Sequence, residues 1–74
     1  EEAGGLARWF AKNVSEKTGE IRNVDDQAIR EAARLLKAGR TGDQIRTAAF
    51  TLVHERAKVG QPAPRDLGNC GIGE

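Results

Sequence analysis

The chain has 74 residues, 38% of them hydrophobic, with one Trp, two Phe, no Tyr, one His and one Cys. Such a length builds one small domain at most, an internal disulfide is excluded, and one His beside one Cys cannot complete a four-ligand zinc site from those residue types. Twelve Lys and Arg against eleven Asp and Glu leave a net charge of +1, neither the footprint of a strongly basic nucleic-acid binder nor an acidic mimic.

A domain this small has little surplus stability from its core alone. Helix packing, a partner or a larger parent chain must supply the rest. No apolar run is long enough to span a membrane, and no basic start leads into an apolar stretch. The chain opens on Glu1-Glu2 and contains no Met, which suggests an excised domain or a processed product. A free Cys fits a reducing compartment, so a cytoplasmic setting is expected.

Helical periodicity appears three times and strand alternation never persists. The first helix is expected over roughly 3–18. Leu6, Trp9, Phe10 and Val14 share one face, joined along the stripe by Asn13 and Lys17. Gly19 is a plausible stop, and Gly4-Gly5 weaken the start.

The second helix is expected over roughly 25–38. Asp25 can cap its free amides, and Val24 with Ile29 has the spacing of a hydrophobic staple. Ile29, Ala32, Ala33 and Leu36 form the expected buried stripe, widened by Ala28 and Leu35. Gly39 ends it.

The third helix is expected over roughly 42–58. Thr41 and Gln44 have the spacing of a capping box, and Asp43 suits the positive end of the helix dipole. Ile45, Ala48, Ala49, Leu52 and Val53 form the buried stripe, and Gly60 is the expected terminator. Residues 61–74, "QPAPRDLGNCGIGE", hold two Pro and three Gly and read as an extended tail or linker, with Leu67 or Ile72 docking on the bundle. The fold class expected is an all-α three-helix bundle with a Gly/Pro-rich C-terminal tail. The alanines of the second and third helices predict their close approach. Trp9, Phe10, Leu36 and Leu52 are expected to supply most of the core's bulk.

The joint "LLKAGRTGDQI", Leu35 to Ile45, resembles the first half of the helix-turn-helix of site-specific recombinases and related regulators. That resemblance covers about fifteen residues and implies DNA contact. The pattern then departs from those modules. The third helix runs on to Gly60 with no second turn and no separate reading helix. Leu35 stands where a tight crossing usually needs a small residue, and Arg34 where an apolar one is usual. Asp43 would oppose phosphates. A helical corner with ordinary caps is the preferred reading.

Arg30, Arg34 and Lys37 share one side of the second helix, with Arg40 just beyond. They form the most concentrated charge feature of the chain, either a contact patch or a solvated face. Phe50 lies off the centre of its helix's apolar stripe, near Arg46 and His54. It either packs against the first helix or stands exposed as an interface anchor. His54 and Glu55 point to different faces, Cys70 has no neighbour in sequence that lowers its pKa, and "GNCGIGE" lacks the features of a phosphate loop. No enzymatic activity, cofactor or metal is therefore expected. The sequence points to an interaction module that binds a protein through Arg30, Arg34, Lys37, Arg40, Arg46 and Phe50. Nucleic-acid binding by the Arg34–Arg46 edge is the alternative, and a structural spacer or oligomerisation unit is a third.

Overall fold

The computed structural model of the chain describes residues 2–70. Three helices account for most of them: α1 (Glu2–Thr18), α2 (Asp26–Lys37) and α3 (Gly42–Lys58). A single 3-10 turn, Leu67–Asn69, follows. Among the described residues there is no strand, and the chain is an all-α three-helix bundle.

Local chemistry fixes the helix ends. The Asp25 carboxylate accepts from the Ala28 amide at 2.8 Å and starts α2. At the start of α3 both halves of a capping box form. The Thr41 hydroxyl accepts from the Gln44 amide, and the Gln44 side chain accepts from the Thr41 amide, each at 3.1 Å. Between these helices Gly39 adopts a φ of 98°, a left-handed conformation that costs a Cβ-bearing residue far more. Its amide reaches the Leu36 carbonyl at 3.1 Å, and the next amide, of Arg40, reaches Leu35 at 3.2 Å. That pair of bonds is a Schellman stop, so the corner terminates one helix and starts the next within a few residues.

The helices are arranged around α1. Glu2 approaches Gly42 at the start of α3, and Thr18 shares a hollow with Ala57 and Gly60 at its end. α1 and α3 therefore run in the same direction, as two successive antiparallel joints require. Leu6, Phe10 and Val14 of α1 meet Ala32 and Leu35 of α2 and Ile45, Ala49 and Val53 of α3 in one buried cluster.

α2 and α3 both pack on α1, and they barely meet each other. The close approach expected from their alanines is thus corrected. The C-terminal segment explains it: this segment, rather than α3, covers the second flank of α2. Leu67 is 1% exposed and belongs to the core. Gly68 is pressed so closely against α2 that a Cβ there would collide with the Glu31 side chain. Burying a side chain of Leu67's size contributes about 2 kcal/mol.

The same docking rotates the buried face of α2. Ala32 and Leu35 are buried, Ile29 and Leu36 are half-buried, and Ala33 is exposed. The face has turned towards Glu31, where the C-terminal segment lies. The core's bulk shifts accordingly. Leu6, Val14, Ile45, Val53 and Leu67 are its largest fully buried side chains, whereas Trp9, Leu36 and Leu52 are only half-buried.

Arg22 holds the segment in place. Its guanidinium donates to three successive carbonyls, Ala63 at 3.1 Å, Pro64 at 2.8 Å and Arg65 at 3.0 Å. Residues 61–62 are exposed, but Ala63, Pro64, Asp66 and Leu67 are buried, so the expected tail is packed chain from Ala63 to Leu67. Ile72, the other residue expected to dock, lies outside the described residues.

Candidate functional site

The residues singled out in the sequence fall on two separate surfaces. Arg30, Arg34 and Lys37 stand exposed on the side of α2 opposite Ala32 and Leu35, and therefore point away from α1. Within this row Arg34 is already engaged, donating from Nε at 3.1 Å and Nη2 at 3.0 Å to the Glu31 carboxylate. Such an exposed pair contributes little stability, but it reduces the free charge of the row. Arg40 is half-buried in the joint after α2.

Arg46 and Phe50 lie elsewhere, on the flank of α3 turned towards α1. Phe50 follows Ala49, the centre of the buried stripe, and so sits about 100° around the helix from it. That places the ring at the edge of the α1–α3 contact, where it is 43% exposed. His54, one turn on, stacks against it with ring centroids 6.2 Å apart and planes 9° apart. From α1, the Lys17 ammonium sits over the ring, 4.7 Å from its centroid, within cation–π range. Trp9, Arg46, Thr47, Phe50 and Thr51 line a shallow open hollow of about 280 Å³. Arg46 carries one weak ion pair, 3.4 Å to the nearly fully exposed Asp43.

The α1 side of this surface has a polar fault. Asn13 is one turn from both Trp9 and Lys17 and is 6% exposed. Its amide nitrogen is buried without a hydrogen-bond partner among the described residues. An orphaned donor of this kind costs about 1–3 kcal/mol. It replaces the apolar residue that would otherwise continue the Leu6–Phe10–Val14 face towards Phe50.

Trp9 and Lys17 border the Phe50 surface, and sequence reasoning left them out of the candidate contacts. Their signal was present: Trp9, Asn13 and Lys17 recur every four residues and mark a single edge of α1. Also missed was the opposite flank of α3, where Ala48 and Leu52 line a larger groove that Cys70 helps to form.

Cys70 and His54 have clear environments. Burial pushes the Cys70 thiol up to about 11 from an ordinary 9.0, with Arg56 pulling it down and Asp66 adding to the rise. At neutral pH it is a protonated thiol, a weak nucleophile and a small apolar surface. Its Sγ approaches the Asp66 carbonyl at 3.5 Å. His54 spends its ring face on Phe50. Among the described residues no three His, Cys, Asp or Glu side chains come together as metal ligands, and no helix is long and apolar enough to cross a membrane.

Comparison with known protein families, with curated proteins and with solved structures gave no match.

Proposed function

We propose that this domain is a non-enzymatic helical interaction module, an adaptor that binds another protein through the α1–α3 face. The observation that carries the reading is Phe50, a large aromatic left 43% exposed in a domain that has only three aromatic residues. Aromatic residues backed by packed structure and ringed by polar groups dominate protein–protein binding energy. Phe50 has this setting. Trp9 lies beside it in the same hollow, and Lys17, Arg46 and His54 form the rim. Phe50 supplies the anchor, and the rim charges orient the partner. No cofactor is required, and the lone free Cys suits an intracellular setting for such a partnership.

The exposed row of α2 fits this role less well. It has no large apolar residue among its charges, and Arg34 is partly neutralised by Glu31. Nucleic-acid contact by Arg34, Lys37, Arg40 and Arg46 would also require one continuous edge, and Arg46 faces α1 instead.

Photo-crosslinking tests the proposal. Benzoylphenylalanine at position 50 should crosslink to one discrete protein in cells that make this chain, and the same group at position 37 should not. Equal crosslinking at both positions would contradict it. So would tight binding to duplex or single-stranded DNA that falls steeply with salt and is lost in a Lys37→Ala, Arg40→Ala variant.

A further inference from the structure

A second surface runs along α3 beside the Phe50 hollow and shares Thr47 and Thr51 with it. An open groove of about 710 Å³ runs along α3 from Asp43 and Gln44 to Glu55. Ala48 and Leu52, both half-buried, make its floor, and Cys70 contributes from the C-terminal segment. The groove exists because α2 and α3 diverge. Among the described residues the C-terminal segment covers α2 and leaves this side of α3 open.

The polar groups along the rim are largely occupied. The Thr51 hydroxyl donates to the Thr47 carbonyl at 2.9 Å, and the Gln44 side-chain oxygen accepts from Thr41. An incoming ligand therefore meets an aliphatic floor first. Among the described residues the charges lining the groove are all of one sign: Asp43 at one end and Glu55 at the other. Asp43 is 98% exposed and holds only its 3.4 Å pair with Arg46, and Glu55 is in no ion pair among the described residues. The two carboxylates are twelve positions apart, about 18 Å along a helix at 1.5 Å per residue.

We propose that this groove binds a protein segment with an aliphatic centre and Lys or Arg at both ends, about three turns of amphipathic helix in length. The aliphatic side chains would cover Ala48 and Leu52, and the terminal cations would pair with Asp43 and Glu55. Apolar contact gives such a complex its affinity, and the complementary charges select and orient the partner. A second copy of this chain is a poorer occupant. Its basic row on α2 offers only the small Ala33 between Arg30, Arg34 and Lys37.

Calorimetric titration of the chain tests this with two synthetic twelve-residue peptides. Both carry two Leu one turn apart at the centre; one has Lys at its ends and the other Glu. The Lys-ended peptide should bind at least tenfold tighter, and its affinity should fall with added salt. Glu55→Lys, an exposed substitution whose folding is checked by circular dichroism, should weaken it about tenfold. Phe50→Ala should leave it unchanged, which separates this site from the aromatic face. Equal affinity for the two peptides, no heat at millimolar peptide, or a Glu55→Lys variant that binds like the wild type would overturn the proposal. Loss of binding in Phe50→Ala would overturn it too, by placing the peptide on the other flank. Concentration-dependent doubling of mass that excludes the peptide would assign the groove to a second copy and overturn it equally.

Discussion

α3 has two exposed flanks, and they differ in kind. One carries an aromatic ring with cations beside it: Phe50, stacked on His54, is capped by Lys17 and flanked by Arg46. The other carries an aliphatic floor with carboxylates at its ends: Ala48 and Leu52 between Asp43 and Glu55. Both arise from the same cause. Only Ile45, Ala49 and Val53 are needed to bury α3 against α1, so a 17-residue helix keeps most of its circumference uncovered. Two apolar surfaces of opposite rim charge then lie side by side and meet at Thr47 and Thr51. Complementary charge discourages each from taking the other's ligand.

The largest effect should come from removing what shapes the aliphatic flank. Arg22→Ala deletes three bonds from a charged donor to the carbonyls of residues 63–65 and should lower unfolding stability by about 3 kcal/mol in urea titration. It should also release Cys70. A thiol titrating near 11 instead of 9.0 has about a hundredfold less thiolate at pH 8. Alkylation of Cys70 at pH 8 should therefore accelerate by up to that factor in the variant. In the wild type the raised pKa has a defined sign for stability. The folded state keeps the Cys70 proton that the unfolded chain gives up above pH 9, so stability should decline as pH rises from about 9 to 11. If Arg22→Ala leaves Cys70 as slow to alkylate as before, the segment does not depend on Arg22.

Phe50→Ala should do the opposite. Binding to the partner of the aromatic flank should weaken at least thirtyfold, the equivalent of about 2 kcal/mol. Unfolding stability should change by about 1 kcal/mol or less, because the ring lies at the edge of the core and is already 43% exposed. A loss of stability as large as that of Arg22→Ala would mean that Phe50 is a core residue and no anchor.

Thr41→Ala should affect both flanks alike. It removes one half of the capping box and should destabilise the start of α3 by about 1 kcal/mol, read from the urea midpoint, with no preference between ligands. The smallest change should come from Asn13→Leu. Replacing an orphaned buried amide with an isosteric apolar group should leave stability within about 1 kcal/mol of wild type or raise it. A clear loss of stability would show that Asn13 has a partner and that the aromatic flank contains no polar fault.

What was legible in the sequence follows from the range of the interactions. The caps at Asp25 and Thr41 and the stop at Gly39 involve residues three to five apart, and each appears as its spacing predicts. The three helices follow from periodicity for the same reason. The rotation of α2 does not, because it depends on Leu67 and Gly68, more than thirty residues downstream. Arg22 gave no signal either, since its three acceptors are backbone carbonyls that carry no residue identity. Of the site, Phe50 stood out through its offset from the stripe, and Arg46 through its position one turn before it. That these two lie apart from Arg30, Arg34 and Lys37 became clear only once the burial of α2 and the position of α1 were known.

The central claim is that the two flanks of α3 select different ligands. Its most direct test is a two-by-two binding measurement, with the protein crosslinked at position 50 and the Lys-ended peptide as ligands, and Phe50→Ala and Glu55→Lys as variants. Each variant should weaken one ligand at least tenfold and leave the other unchanged, Phe50→Ala acting on the protein and Glu55→Lys on the peptide. Retention of the crosslinked protein by Phe50→Ala, or equal losses of both ligands in either variant, would contradict it.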